Sequence, residues 1–171
     1  MPTNRDAEAR QAWNIVPLSP DNAAEAAHLN RAHLPTRWTK DDFHRAIADP
    51  DMLCLISAAA GTDTDTNLIG LVLARRTVDD GEILSLVVDP HHRRGGLATC
   101  LMQRACIGLM ALGAQRVLLE VASDNAPAIT LYTSLGFRDI GTRIGYYSRG
   151  ETSIDARIMA WRPDGAEESS E

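Results

Sequence analysis

The chain has 171 residues, 44% hydrophobic and 23% charged, the balance of a single globular domain rather than of a disordered or fibrous chain. A net charge of −6 argues against a broad nucleic-acid-binding face, which needs clustered cations, and favours a cationic substrate. No apolar run approaches the ~20 residues that span a bilayer, and "MPTNRDAEARQAW" has no apolar signal core, so no membrane association is expected.

The three cysteines are an odd number in apolar surroundings, which suits reduced thiols and a cytoplasmic protein. "AWNIVPLS" reads as a first strand. Ser19-Pro20-Asp21 offers an N-cap and a first-turn proline for a helix to about residue 32. "TKDD" from Thr39 is a capping signal for a short helix that Asp49-Pro50 ends. "MLCLISAA", "LIGLVLARR" and "EILSLVV" are three strands, the first two joined by the polar loop "GTDTDTN".

From Gly96 to Leu112, positions 97, 101, 105, 108 and 112 follow helical spacing, with 98, 102 and 109 widening the stripe, and Gly113 suits the position past the helix end. "RVLLEV" is a short central strand and "SDNAPAITLYTSL" a helix with a Ser/Asp start that Gly136 ends. "FRDIGTRIGYY" and "TSIDARIMAW" close the chain as an antiparallel pair. The order β-α-α-β-β-β-α-β-α-β-β predicts an α/β protein with a mixed, mostly antiparallel sheet and a parallel crossover at its centre. Residues 12–162 form the domain; 1–11 and the acidic stretch 163–171 are expected to be flexible.

The stretch "SLVVDPHHRRGGLAT" sits where the third hairpin-linked strand meets the long helix. It is neither a Walker A loop nor a dinucleotide fingerprint. Glycines there let backbone N–H groups approach a ligand, and a helix start with its dipole favours an anion. Arg93 and Arg94 add charge and Thr99 a hydroxyl. Taken alone, the stretch is equally an ordinary turn with solvated arginines. Cys100 and Cys106, six positions apart on a helix, diverge, and neither C-x-x-C nor H-x-x-x-H occurs, so no metal site is expected. His91 and His92 read as a solvated turn.

Arg93-x-x-Gly96-x-Ala98 resembles the [QR]-x-x-G-x-[GA] motif of the GNAT superfamily, the Gcn5-related N-acetyltransferases; the motif tolerates alanine in its last position. "LLEVASDNAPAITLYTSLGF" resembles that family's following strand and helix, with N-x-x-A-x-x-L-Y-x-x-x-G-F intact, and "GYYSRGETSIDARIMAW" its closing strands. The combination is most similar to the branch of bacterial ribosomal-protein-alanine N-acetyltransferases. Close resemblance covers about residues 82–162; a looser one, through "RWTKDDFHRAI", reaches back to about residue 13.

The resemblance implies the GNAT fold, a three-layer α/β/α arrangement, and acetyl-CoA as the acyl donor. It places the pyrophosphate on Arg93, Arg94, Gly95, Gly96, Leu97, Ala98 and Thr99. The pantetheine arm would lie on the backbone of Leu86, Val87 and Val88, with Asn125 beside it. The implied acceptor is a protein N-terminus, with the N-terminal alanine of ribosomal protein S18 as lead candidate. A small-molecule amine, or a non-catalytic acyl-CoA-binding role, are the alternatives.

Acetyl transfer needs a neutral amine, a stabilised oxyanion and a protonated leaving thiolate. Glu120 is the candidate base. In "VLLEV" it shares a face with Leu118, opposite Val117, Leu119 and Val121, although a strand that simply ends in water would look the same. Tyr132 is the candidate acid: it lies seven positions, two helical turns, after Asn125 and faces the same way. On pattern alone a core tyrosine is the commoner reading. The resemblance assigns both roles.

Tyr146 and Tyr147 are candidates for the acceptor-side wall or for interstrand packing; strand alternation lets only one face the site. A backbone N–H near Val87 or Val88 would hold the oxyanion. Glu82 is a second, weaker base candidate. Neutralising an α-amine at pH 7 costs only about 1–1.4 kcal/mol, against about 4.6 for a lysine, which suits one carboxylate acting on an N-terminus.

Overall fold

The computed structural model describes residues 13–35, 37–59, 67–150 and 152–163. The expectations for the N-terminal segment, for most of the "GTDTDTN" loop and for all but the first residue of the acidic tail lie outside them. β1 (Ile15–Pro17), β2 (Met52–Ala58), β3 (Leu68–Thr77) and β4 (Asp80–Val88) pair antiparallel in sequence order. β5 (Arg116–Ala122) runs parallel to β4. Beyond it comes the last strand of the chain, β7 (Thr152–Trp161), and then β6 (Arg138–Arg149) at the edge. The expected mixed sheet with one parallel crossover at its centre is the sheet observed.

Helices cover both faces. α1 (Ala23–His33) and α2 (Lys40–Ala48) pack Ala26, Leu29, Phe43 and Ala46 against Leu71, Leu73 and Val87. α3 (Leu97–Ala111) and α4 (Ala126–Ser134) pack Leu97, Leu101, Leu109 and Tyr132 with Val72, Ala74, Val117 and Leu119 on the other face. β3 is therefore buried without interruption from Leu68 to Ala74, as expected for a strand covered on both sides. α3 sits unusually close to the sheet: a Cβ on Gly81 would lie 2.7 Å from the Leu109 side chain, so only glycine permits that approach.

Caps follow the sequence in part. Thr39 and Asp42 form the expected reciprocal capping box of α2, with Asp42 N–H donating to Thr39 Oγ1 at 3.1 Å and Thr39 N–H to Asp42 Oδ2 at 2.8 Å. Ser19 does not cap α1. A 3-10 turn over Pro20–Asn22 intervenes, closed by Asn22 N–H on the Ser19 carbonyl, and the Ser19 hydroxyl donates to Asn22 Oδ1 at 2.8 Å. The cap of α4 is Asn125 rather than Ser123 or Asp124. Pro127 lacks an N–H and is tolerated only in a first helical turn, which places the helix start at Ala126. α3 begins and ends where its periodicity predicts, and Gly113 past its end adopts φ 99°.

Two register slips matter for function. Leu73 pairs with Ser85 but Ala74 with Ile83, so Leu84 opposes no residue of β3. Between Arg143↔Ala156 and Tyr147↔Ile154, β6 spends four steps against two on β7.

Candidate active site

β4 and β5 stay paired only from Asp80↔Arg116 to Ile83↔Leu119. Beyond that point β4 follows β3 as far as Val88↔Gly70, and β5 follows β7 to Ala122↔Ala156. The facing edges of Leu84–Val88 and Glu120–Ala122 therefore form a wedge in the middle of the sheet. The Leu84 bulge marks where it opens, since a bulged strand bends and twists more strongly. Leu84 and Ser85 consecutively serve the α1/α2 side: Leu84 packs on that cluster and Ser85 Oγ accepts a hydrogen bond from buried Asn30 Nδ2 at 3.0 Å. Leu86 and Val88 then face the α3 side and Val87 the α1 side. Backbone amides in such a position need a partner, and an extended ligand carrying amide groups supplies one.

At the mouth of the wedge the chain turns through Asp89–Gly96. Asp89 Oδ1 accepts from His91 N–H at 2.8 Å and meets His92 Nδ1 at 3.4 Å, and the first of these bonds holds its carboxyl below the usual carboxylate range. His91 and His92 belong to this short 3-10 turn. Arg93 is not free: its Nε donates to the Val88 carbonyl at 3.1 Å, bracing the turn to the end of β4. Arg94 (φ 63°) and Gly96 (φ 83°) adopt left-handed backbone. Gly96 caps α3, no side chain caps that helix, and a Cβ on Gly96 would meet nothing within 4 Å. The first-turn N–H groups at Leu97, Ala98 and Thr99 thus start a fifteen-residue helix from an open glycine turn, an arrangement suited to an anion.

Sequence reasoning missed Trp13. Its indole Nε1 donates to the Gly95 carbonyl at 3.0 Å, and a Cβ on Gly95 would fall 2.9 Å from its ring. The two residues are 82 positions apart, so nothing local signals the contact.

Glu120 leaves the sheet on the face opposite Val117, Leu119 and Val121, which enter the α3/α4 core. Its carboxylate is paired with Arg143, Nε to Oε1 2.9 Å; the side chains are 22% and 55% exposed, so the pair contributes at most about 1 kcal/mol. The Arg143 guanidinium lies over the Tyr146 ring, 5.3 Å from its centre. Tyr146 meets Tyr147 edge to face at 5.1 Å. Tyr147 is half-buried, and burial, then the charge of Glu120, then Tyr146, raise its hydroxyl above the usual range. Tyr132 is buried beside Phe137, and burial first, with Tyr147 second, pushes it up to about 12.

A bulge in β6 lies between Arg143 and Tyr147. Gly145 takes φ 66° and donates its N–H to Asp155 Oδ1 at 2.8 Å. Tyr147 then lies near Glu120 and Tyr132, while Tyr146 extends outward beneath Arg143. Arg143 was also missed, because it meets Glu120 across the intervening β7, a contact between strands that no local pattern announces. Asn125 uses its side-chain oxygen to cap α4 (Ala128 N–H, 3.3 Å), so a ligand contact there falls to its amide NH2.

Glu82 lies in the still-paired part of β4, before the wedge, and ion-pairs with Arg75 at 3.0 Å. Among the described residues no group of three or more His, Cys, Asp or Glu is placed to hold a metal, and no helix is long and apolar enough to cross a membrane. Cys54 and Cys106 are buried thiols pushed up to about 12 by burial.

A mixed sheet parted at its parallel pair, above a glycine turn that opens a long helix, defines one class of protein. The chain belongs to the acetyltransferase (GNAT) family, which it matches over residues 23–137. It is 33% identical over 96 residues to the [ribosomal protein bS18]-alanine N-acetyltransferase of Salmonella typhimurium, 56% of this chain and 65% of that protein, so it spans slightly under two thirds of that relative. It is 38% identical over 145 residues to an N-alpha-acetyltransferase of Sulfurisphaera tokodaii, 77% of this chain and 82% of that one. The crystal structure of the ribosomal-protein-S18-alanine N-acetyltransferase from Escherichia coli superposes with a TM-score of 0.77 at 26% identity, covering 93% of this chain and 99% of that one.

Proposed function

We propose that this chain is an acetyl-CoA-dependent N-acetyltransferase of a protein N-terminal α-amine, with the N-terminal alanine of ribosomal protein S18 as the first acceptor to test. The observation that carries this reading is the wedge between Leu84–Val88 and Glu120–Ala122, opening directly above the Gly96 turn and flanked by Glu120 and Tyr132. The residues present fit the donor. A pyrophosphate matches the open N–H groups of Gly96 to Thr99 with Arg94 beside them, and the amides of a pantetheine arm match the unpaired edge at Leu86, Val87 and Val88. The identity to two N-terminal acetyltransferases supports the acceptor class.

In the transfer, the acceptor nitrogen bonds to the thioester carbonyl carbon and the carbon–sulfur bond breaks. Glu120 accepts the proton the amine loses. The N–H of Val87 or Val88 donates to the carbonyl oxygen as it gains negative charge. Tyr132, protonated at neutral pH, supplies a proton to the departing sulfur. The reduced, buried thiols suit a cytoplasmic setting.

The test is steady-state acetylation of an S18 N-terminal peptide by wild type, Glu120→Gln and Tyr132→Phe. Loss of a general acid or base lowers kcat/KM by about 10²–10⁴. Wild-type rates in both variants overturn the roles. Faster turnover of free small amines than of any N-terminal peptide overturns the acceptor class, and tight CoA binding without turnover on any amine makes the chain a binding module.

A further inference from the structure

We infer that Asn30 is a positioning residue for the acyl donor: its buried amide holds Ser85 on the α1/α2 side of the sheet and so fixes the bulge at which β4 parts from β5. The inference rests on the reading that the pantetheine arm lies along Leu86, Val87 and Val88. Asn30 is on α1 and fully buried, an uncommon place for a side-chain amide. Its Nδ2 donates to Ser85 Oγ at 3.0 Å, and its Oδ1 faces the Trp38 N–H at 3.5 Å, a weaker contact. Its backbone carbonyl accepts from the Leu34 N–H at 2.9 Å, where α1 ends. One residue thus ties the end of α1 and the segment leading into α2 to β4, at the position just after Leu84.

Ile83 enters the α3 core, whereas Leu84 and Ser85 both serve the α1/α2 side. Regular alternation would turn Ser85 towards the apolar α3 cluster and leave the Asn30 amide buried without that partner. The hydrogen bond therefore opposes straightening of the strand. A neutral polar pair in a core adds little stability where two apolar groups would pack as well, so what this pair contributes is register. With the bulge in place, the edge from Leu86 to Val88 diverges from β5 and stays open to the amides of the donor. A chain in which the straightened register competes binds the donor with only the fraction that remains open.

The experiment measures, by calorimetry, the affinity for acetyl-CoA and for 3′-phospho-ADP, the nucleotide end of the donor without its pantetheine arm. The proteins are wild type, Ser85→Ala, and the double variant Asn30→Leu with Ser85→Ala. Both variants are expected to bind acetyl-CoA about fivefold more weakly, the worth of one neutral hydrogen bond, and to bind the nucleotide as wild type does. The double variant, which removes both polar groups, should match or exceed the wild-type thermal midpoint; if it does not fold, Ser85→Ala alone carries the test. Ser57→Ala is the control, since it removes a fully buried hydroxyl that bonds nothing among the described residues. Wild-type affinity for acetyl-CoA in the variants overturns the inference. So does an equal loss for both ligands, which marks general damage to the fold, or the same loss in Ser57→Ala. If wild type binds acetyl-CoA no more tightly than the nucleotide, the pantetheine arm does not use the open edge, and that reading fails together with the inference.

Discussion

Ile83 and Leu119 face each other across the last paired step of β4 and β5; one residue further, Leu84 drops out of register with β3 and the two strands part. The separation is thus built into β4. Its cost is unpaired backbone in the middle of a sheet, which an amide-bearing ligand recovers, and the glycine turn at the wedge's mouth provides for the ligand's charged end.

Gly96 tests the turn. Its φ of 83° disfavours any side chain, but the space beside it is open. Gly96→Ala is expected to cost about 1 kcal/mol of stability through backbone strain alone, read as a lower urea midpoint. It should also raise the KM for acetyl-CoA several-fold at nearly constant kcat. Unchanged CoA affinity by calorimetry, alongside the stability loss, removes the turn from the binding site.

Burial makes Tyr132 hard to ionise. Tyr132 is pushed up to about 12 from an ordinary 10, so its folded form keeps the proton after the unfolded form loses it. The stability it contributes is complete below about pH 10 and disappears as pH rises towards 12. Tyrosinate absorbance of the native protein should show Tyr132 as a late step that vanishes in Tyr132→Phe. Loss of an early step instead would mean that Tyr132 is not buried as described.

Thiol chemistry should separate the cysteines. Cys54 and Cys106 are buried with thiols near 12, whereas Cys100 is only half-buried. Iodoacetamide at mildly alkaline pH is expected to alkylate Cys100 first, and Cys54 and Cys106 only on unfolding. Peptide mapping by mass spectrometry reads the order directly, and early labelling of Cys106 contradicts the α3 packing.

Trp13 should report on the donor site. Trp13→Phe keeps a ring against Gly95 but loses the Nε1 hydrogen bond, worth about 0.5–1.5 kcal/mol. The expected result is a higher KM for acetyl-CoA with kcat largely preserved. Gly95→Ala, whose new methyl meets the Trp13 ring, should shift tryptophan emission of the free protein. Identical emission and CoA affinity in both variants would show that the contact is incidental.

Much of this was legible in one dimension because it is local. Helical spacing delimits α3, Thr39 and Asp42 cap α2, and period-two alternation in "VLLEV" separates Glu120 from the core-facing Val117, Leu119 and Val121. The pattern likewise places Tyr132 on α4, with Asn125 just outside it as the cap. Where local signals competed, the prediction failed: Ser19 offered a cap, but Asn22 closed a tighter turn on it.

The sequence by itself determined the elements, their order and which residue types meet the chemistry, since propensity, capping and alternation act over a few residues. Only the tertiary structure decided that β7 inserts between β5 and β6, that Leu84 opens the sheet, that Trp13 reaches Gly95, and that Arg143 on β6 meets Glu120 across β7. These depend on strand register and on contacts between distant segments. A single extra residue reverses which face a side chain takes, and nothing in the local pattern announces it.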